Sequence, residues 1–132
     1  MRIGEISITS STNPNHVLQY EDVVQYDLNT LHVTMRSFKH SGQVTITLQI
    51  MAEHNDICPI KALSAYCLLR GSSPGPLFIF PSGNPITRSF FTLQLRAALQ
   101  WANLDTHRYK GHSFRIGPAT TAAANGFSDA HI

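Results

Sequence analysis

A histidine and an arginine stand three residues apart in the stretch YKGHSFRIGPATTAA, where a run of small residues predicts a helix. His112 and Arg115 would share one face of that helix, because residues three apart are neighbours on a helix surface. The same face meets the unpaired N–H groups and the positive dipole end of the helix, which suit a phosphate. An exposed histidine beside a solvated arginine gives the same pattern, so the motif needs support from the rest of the chain.

Basic residues are concentrated in the C-terminal half of the chain. Residues 1–60 hold three Lys or Arg and six Asp or Glu, whereas residues 61–132 hold seven and two. Proteins that bind a polyanion often have such a basic half, although many soluble domains also have a basic side. The 132 residues are enough for one domain, and the 42% apolar content predicts that it folds. Apolar runs are short and no signal-peptide core is present, so we expect no membrane partner.

The cysteines and histidines do not form a recognisable metal site. Cys58 and Cys67 are too few for a disulfide framework and neither belongs to a C-x-x-C pair, which fits a reducing compartment. His107, His112 and His131 lack tight ligand spacing. We therefore predict neither a metal nor a cofactor, with the two cysteines as a half-buried thiol and a helix-face thiol.

A change in hydrophobic period predicts an antiparallel sheet followed by helices. Residues 17–27 and 31–38 are predicted to be extended, with a turn at DLNT, and residues 44–51 alternate β-branched and polar side chains. The turn KHSGQ places Lys39 at or beside the tip of a β-hairpin. We therefore expect an α+β fold with a three-stranded antiparallel sheet within residues 17–51.

The first two predicted helices have clear start and stop signals. Pro59 opens a helix over residues 59–70 that Gly71 ends, and Thr87 caps a helix over residues 87–102. The apolar face of the first helix comprises Ile60, Leu63, Cys67 and Leu68.

The third predicted helix contains a proline. Ser113 is its expected N-cap, and Asn125-Gly126 should end it. Pro118 falls past the first turn, where it would lose a hydrogen bond and clash with a carbonyl at a cost of about 3 kcal/mol. Either the helix begins later, near Gly117, or it kinks.

Three motifs in order resemble the catalytic domain of the tyrosine recombinases, or phage integrases. RIGEI, SFKHSG and GHSFRIG match the order in Cre-like recombinases, which is an arginine, an acid three residues later, a hairpin lysine, and H-x-x-R. Recombinases of animal mobile elements of the Crypton and DIRS type are more similar still, in CPIKALSAYCLLRG, GPLFIF and GHSFRIGPATTAAANGFSD. The likeness covers nearly the whole chain. We therefore identify residues 1–132 as part of such a catalytic domain, with the expected fold of the tyrosine-recombinase core.

The resemblance implies a role for each matched residue. Such recombinases cut DNA by attack of a tyrosine on a phosphodiester, which leaves a 3′-phosphotyrosine and a free 5′-hydroxyl. Arg2 and Arg115 would hold the non-bridging oxygens through forked hydrogen bonds, with Glu5 supporting the site. Lys39 would protonate the leaving 5′-oxygen, provided that neighbouring cations and partial burial favour its neutral form. His112 would share the proton of the nucleophile and bond a phosphate oxygen.

The likeness also predicts how these residues gather. Arg2, Lys39, His112 and Arg115 should converge on one basic concavity, and Arg108 and Lys110 should contact DNA. The expected partner is double-stranded DNA, the family allows self-association on DNA, and in a eukaryote the location would be the nucleus. An ordinary solvated charge remains the alternative for each residue, and Arg2, Glu5 and Lys39 depend most on the family likeness.

The nucleophile is the main departure from the family pattern. All four tyrosines precede His112, and the chain ends 17 residues past Arg115. Only MRIGEI precedes the first loop, and a helix capped by Ser128 would have barely one turn, so we expect an interior piece of a longer protein. The sequence thus predicts a DNA-binding fragment of a recombinase that does not cleave DNA alone. The alternative is a non-catalytic DNA-binding or structural remnant of a mobile element.

Overall fold

A computed structural model of the chain describes residues 6–11, 13–36 and 45–126. These residues fall into two compact units, one up to Ile86 and the other from Thr87 onward. The architecture is α+β, as the sequence predicts, with a three-stranded antiparallel sheet and three helices in the described part. No helix in that part is long and apolar enough to cross a membrane.

The sheet lies in the first unit and has the strand order β1-β2-β3. Strand β1 spans Val23–Asp27, β2 spans Thr30–Met35 and β3 spans Ile46–Met51, with both pairs antiparallel. The predicted turn at DLNT is present between β1 and β2, where the carboxylate of Asp27 accepts the N–H of Asn29 at 2.7 Å. This loop-closing bond sets the register of the first hairpin. Lys39 and the predicted tip of the second hairpin lie outside the described residues.

The hydrophobic core lies between one face of the sheet and the first helix. Leu31, Val33 and Met35 alternate along β2 and are buried on the same face, as the period of a strand requires. Helix α1, Pro59–Arg70, covers that face with Ile60, Leu63 and Cys67. Leu77, which is fully buried, joins the core from the loop after α1.

The bounds of α1 agree with the sequence prediction at both ends. Pro59 is the first helical residue, where its missing N–H has no helical acceptor in any case. Gly71 ends the helix with φ of 78°, a left-handed value that glycine adopts without a steric penalty. The predicted apolar face is wrong at Leu68, which is 86% exposed, because the narrow sheet covers the helix only along Ile60, Leu63 and Cys67.

The first predicted extended segment is interrupted before β1. Tyr20–Asp22 form a single 3-10 turn, so the prediction that residues 17–27 are extended is wrong at these three residues. The buried carboxylate of Asp22 explains the interruption. Its Oδ2 accepts the N–H of Gln19 at 3.0 Å, and its Oδ1 faces Nε of Arg36 as an ion pair outside hydrogen-bond geometry.

The second unit contains helices α2, Arg88–Trp101, and α3, Ser113–Ala124. As predicted, Thr87 caps α2, since its hydroxyl accepts the N–H of Phe90 at 3.2 Å. Neither helix contains a fully buried residue. The stability of α3 therefore depends mainly on its own backbone hydrogen bonds and on the turns that precede it.

Candidate phosphate-binding site at the start of helix α3

Helix α3 begins with the H-x-x-R motif. The carbonyl of His112 accepts the N–H of Arg115 at 3.0 Å and that of Ile116 at 3.2 Å, so His112 is the N-cap and Arg115 the third residue of the helix. The structure thus places the two side chains on the first turn, as the three-residue spacing predicts. Their exposed positions leave both accessible to a ligand.

Ser113 is not the N-cap, which corrects the sequence prediction by one residue. Its N–H donates to the carbonyl of Lys110 at 2.9 Å, and its hydroxyl accepts the N–H of Lys110 at 3.1 Å. The hydroxyl is therefore used to close the turn before the helix and not to cap the helix. This pair of bonds fixes Lys110 beside the first turn of α3.

Pro118 does not displace the start of α3. The helix begins at Ser113 and runs through Pro118 to Ala124, so the expectation of a later start near Gly117 is wrong. The bonds to the carbonyl of His112 are complete before the proline is reached. The relative positions of His112 and Arg115 are therefore set by a regular first turn.

The segment before α3 is a series of tight turns built around Asp105. Its Oδ1 accepts the N–H of His107 at 2.7 Å, and its carbonyl accepts the N–H of Tyr109 at 3.0 Å. Sequence reasoning gave Asp105 no role. The sequence does contain a signal, because an aspartate in a loop commonly accepts the backbone N–H two residues further along the chain.

The charge around this helix start is strongly positive. Arg108, Lys110 and Arg115 are all exposed, and in the described part of the chain none of them forms an ion pair. The first turn of α3 contains no acidic residue and no side chain caps its N–H groups. The N–H groups of Ser113 and Arg115 already donate to main-chain carbonyls, so within the described residues the N–H of Phe114 is the first-turn donor left for a ligand. One such N–H beside guanidinium and imidazole donors suits a phosphate dianion or diester.

The tyrosine nearest to this site is Tyr109. Its side chain is 38% exposed, and the guanidinium of Arg108 lies 5.8 Å from its ring centre. This weak cation–π contact keeps the ring beside the cations.

The predicted site is only partly within the described residues. His112, Arg115, Arg108 and Lys110 are described and belong to the second unit. The other three candidates, Arg2, Glu5 and Lys39, lie outside the described residues. Their predicted convergence with His112 and Arg115 stays a prediction.

The two cysteines lie in the first unit and are free thiols. Cys67 is half-buried, whereas Cys58 is buried at the start of α1, with Sγ accepting the N–H of Glu53 at 3.4 Å. The first-turn N–H of Lys61 lowers the pKa of Cys58, although it lies outside strict hydrogen-bond geometry, and desolvation partly opposes this effect. Among the residues that the structure describes, no three His, Cys, Asp or Glu side chains gather as a metal site.

Comparison with known proteins does not assign the chain to a family. No family model, no curated protein and no solved structure matches it.

Proposed function

We propose that this chain binds the phosphate backbone of double-stranded DNA through the start of α3, as part of a site-specific tyrosine recombinase. In the intact recombinase, a DNA strand is cleaved and rejoined through a 3′-phosphotyrosine. One observation carries the proposal, namely that His112 and Arg115 share the first turn of α3 beside the N–H of Phe114, which has no acceptor among the described residues. The recombinase motifs in the sequence supply the choice of DNA among phosphate ligands.

Each component of this helix start favours an anion for a separate physical reason. The guanidinium of Arg115 offers a planar fork of donors that keeps its charge near neutral pH. The end of the helix dipole contributes roughly 0.3–1 kcal/mol at an exposed position. Lys110 and Arg108 extend the positive charge along the preceding turns, where they can contact neighbouring phosphates. All these side chains are exposed, and the proposed contacts are to phosphates and not to base edges. We therefore expect the binding to be weak and independent of DNA sequence.

Salt-dependent DNA binding tests the proposal directly. We expect the chain to bind two unrelated duplexes equally, with a dissociation constant of about 10⁻⁴–10⁻⁶ M near physiological salt, measured by fluorescence anisotropy. Arg115→Ala should weaken binding about tenfold and reduce the slope of log K against log salt by about one.

Arg96 provides the matched control for charge. It is an exposed arginine in the middle of α2, in the same unit, and its replacement removes one positive charge away from the start of α3. Arg96→Ala should weaken binding by no more than about twofold, because Arg96 lies on another helix and a single exposed charge that contacts no phosphate is largely screened. Equal losses in the two variants would show that net charge and not this site binds DNA. Absence of binding would leave the structural remnant as the better account.

A further inference from the structure

Strand β3 forms an edge of the sheet. In the order β1-β2-β3 it pairs with β2 along one side, and no described residue pairs with its other side. An edge strand presents a row of N–H and C=O groups that can pair with another strand. What an edge binds depends on its side chains and on whether it carries features that block pairing.

The β3 edge carries no such protective features within its bounds. Its sequence ITLQIM contains no charge, proline or glycine, and its six residues pair with β2 in an unbroken register from Ile46 to Met51. The opposite edge, β1, differs in both respects. Its register is irregular between Gln25 and Asp27, and it ends in an exposed carboxylate. Irregular register and edge charge are the usual means of preventing edge-to-edge pairing.

The core face of the sheet is also left incomplete at β3. Ile46 and Leu48 lie opposite Met35 and Val33 and therefore face the same side of the sheet as these two buried residues. They are nevertheless 40% and 38% exposed. A further strand beside β3 would cover them, provided that its own residues on that face were apolar.

We propose that β3 pairs antiparallel with β3 of a second copy of this chain, about a two-fold axis at Leu48. In this register Leu48 faces its own counterpart and Ile46 faces Ile50 on the core side. On the outer side, Thr47 faces Gln49. Apolar residues thus meet apolar residues, polar residues meet polar residues, and no like charges are opposed.

The self-complementarity of this register favours a second copy over an unrelated strand. A shift of one residue would bring the apolar face of one strand against the polar face of the other. A shift of two residues keeps the faces but either sets Met51 against Thr47 or pairs only three residues of the strand, so the alignment about Leu48 matches the side chains best. The two-fold axis also closes the assembly at two copies, since the protected β1 edges remain at its ends. The pairing involves neither α3 nor its cations, so it does not depend on the proposed DNA binding.

Opposed charges on the outer face test both the pairing and its register. Thr47→Lys with Gln49→Lys places lysines opposite lysines across the seam, and Thr47→Lys with Gln49→Glu places lysines opposite glutamates. Both positions are exposed, so the two double variants differ only in the sign of one surface charge. Sedimentation equilibrium of the full chain without DNA should show a weak dimer, with a dissociation constant on the order of 10⁻⁴ M for so small an interface.

We expect the first double variant to lose dimerisation and the second to keep it. The lysine–lysine variant should raise the dissociation constant at least tenfold, and the lysine–glutamate variant should remain within about threefold of the unmodified chain. A chain that stays monomeric at about 10⁻³ M, or a dimer that neither variant affects, would overturn the proposal. Equal weakening by both variants would overturn the register.

Chemical cross-linking gives an answer that does not depend on how the charged variants fold. In a Cys67→Ser background, mild oxidation with copper–phenanthroline should convert Leu48→Cys into a disulfide-linked dimer, because residue 48 faces its own counterpart. Thr47→Cys is the control and should link poorly, since its own counterpart lies diagonally across the seam, about 7–8 Å away and too far for a disulfide. Failure of Leu48→Cys to link, or equal linking at both positions, would contradict the two-fold axis at Leu48.

Discussion

The guanidinium carbon of Arg70 lies 4.5 Å from the centre of the Tyr20 ring. The N–H groups of the same arginine donate to main-chain carbonyls of the loop that follows α1, including those of Leu77 at 2.8 Å and Ser73 at 2.7 Å. The other acceptors are the carbonyls of Gly71, Gly75 and Pro76. One side chain therefore closes this loop onto the sheet unit through hydrogen bonds to neutral carbonyls and one aromatic face.

Replacement of Arg70 by lysine should destabilise the first unit although the charge is kept. A lysine ammonium lacks the planar fork of donors. It cannot donate to all of these carbonyls and at the same time stack on the ring of Tyr20. We expect Arg70→Lys to lower the free energy of unfolding by about 1.5–3 kcal/mol, the range for hydrogen bonds to a charged group. Urea denaturation measures the loss. Arg96→Lys, on the exposed side of α2, should change the free energy by less than about 0.5 kcal/mol, and similar losses in both would contradict this role.

Gly117 and Pro118 should be energetically coupled within α3. Proline disfavours helical geometry in the residue before it, partly through that residue's Cβ, which glycine lacks. Pro118→Ala should therefore stabilise α3 by up to about 3 kcal/mol. Gly117→Ala should add about 1 kcal/mol in the Pro118→Ala background, because a Cβ there meets no atom within 4 Å apart from its chain neighbours and the backbone of its own helix.

The same Gly117→Ala change should give little or no gain when Pro118 is present. Amide hydrogen exchange over residues 119–124 measures the opening of α3 in each variant and in the double variant. Additive effects of the two changes would show that Gly117 does not accommodate the proline.

The pH dependence of stability should include a contribution from Cys58. Its pKa is lowered from the ordinary value of 9.0, so the folded chain loses this proton before the unfolded chain does. Stability from this thiol is therefore absent below the lowered pKa, grows as the pH rises towards 9.0, and is complete above that value. Chemical denaturation measures the free energy of unfolding at each pH. Between pH 7 and about 9.5 this free energy should rise less, or fall more steeply, for Cys58→Ala than for the unmodified chain.

Cys67→Ala is the control for this pH effect. It removes a thiol from the same unit while Cys58 and its first-turn N–H partners are kept. The change in the free energy of unfolding between pH 7 and about 9.5 should be the same for Cys67→Ala as for the unmodified chain. A difference altered to the same extent by both substitutions would assign the effect to something other than Cys58.

The 132-residue chain should bind DNA without forming a covalent adduct. Arg115 and His112 can stabilise charge on a phosphate, but no tyrosine follows them in this sequence. Incubation with a suicide DNA substrate followed by denaturing electrophoresis checks this expectation. If a denaturant-resistant complex appeared, Tyr109→Phe would be the first variant to test, since this ring lies beside the cations before α3.

The sequence predicts most of the secondary structure because its signals are local. Pro59 and Gly71 act on their own backbone angles. The capping bond of Thr87 reaches only to Phe90 in the first turn of α2, and such effects need no knowledge of the tertiary fold. The N-cap of α3 was misplaced by one residue because Ser113, a good capping residue, bonds Lys110 before the helix.

The remaining differences depend in part on contacts distant in sequence. The 3-10 turn is closed by the bonds between Gln19 and Asp22, and the buried carboxylate of Asp22 also pairs with Arg36. The exposure of Leu68 depends on how little of α1 a three-stranded sheet can cover. The candidate site also has one part that local signals predict and one part that they do not. The H-x-x-R spacing predicted a shared first turn for His112 and Arg115, whereas a meeting with Arg2 or Lys39 depends on contacts that no local signal specifies.

The carbonyl contacts of Arg70 have a consequence for proteolysis. Loops such as GSSPGP are preferred cleavage sites, and the bond between Arg70 and Gly71 has the sequence that trypsin recognises. Trypsin must take the arginine side chain into its own acidic pocket, yet here the loop already holds that side chain. Cleavage at this bond must wait until the loop opens. A digest of the folded chain should therefore begin at exposed cations such as Arg108 and Lys110, and cut after Arg70 late.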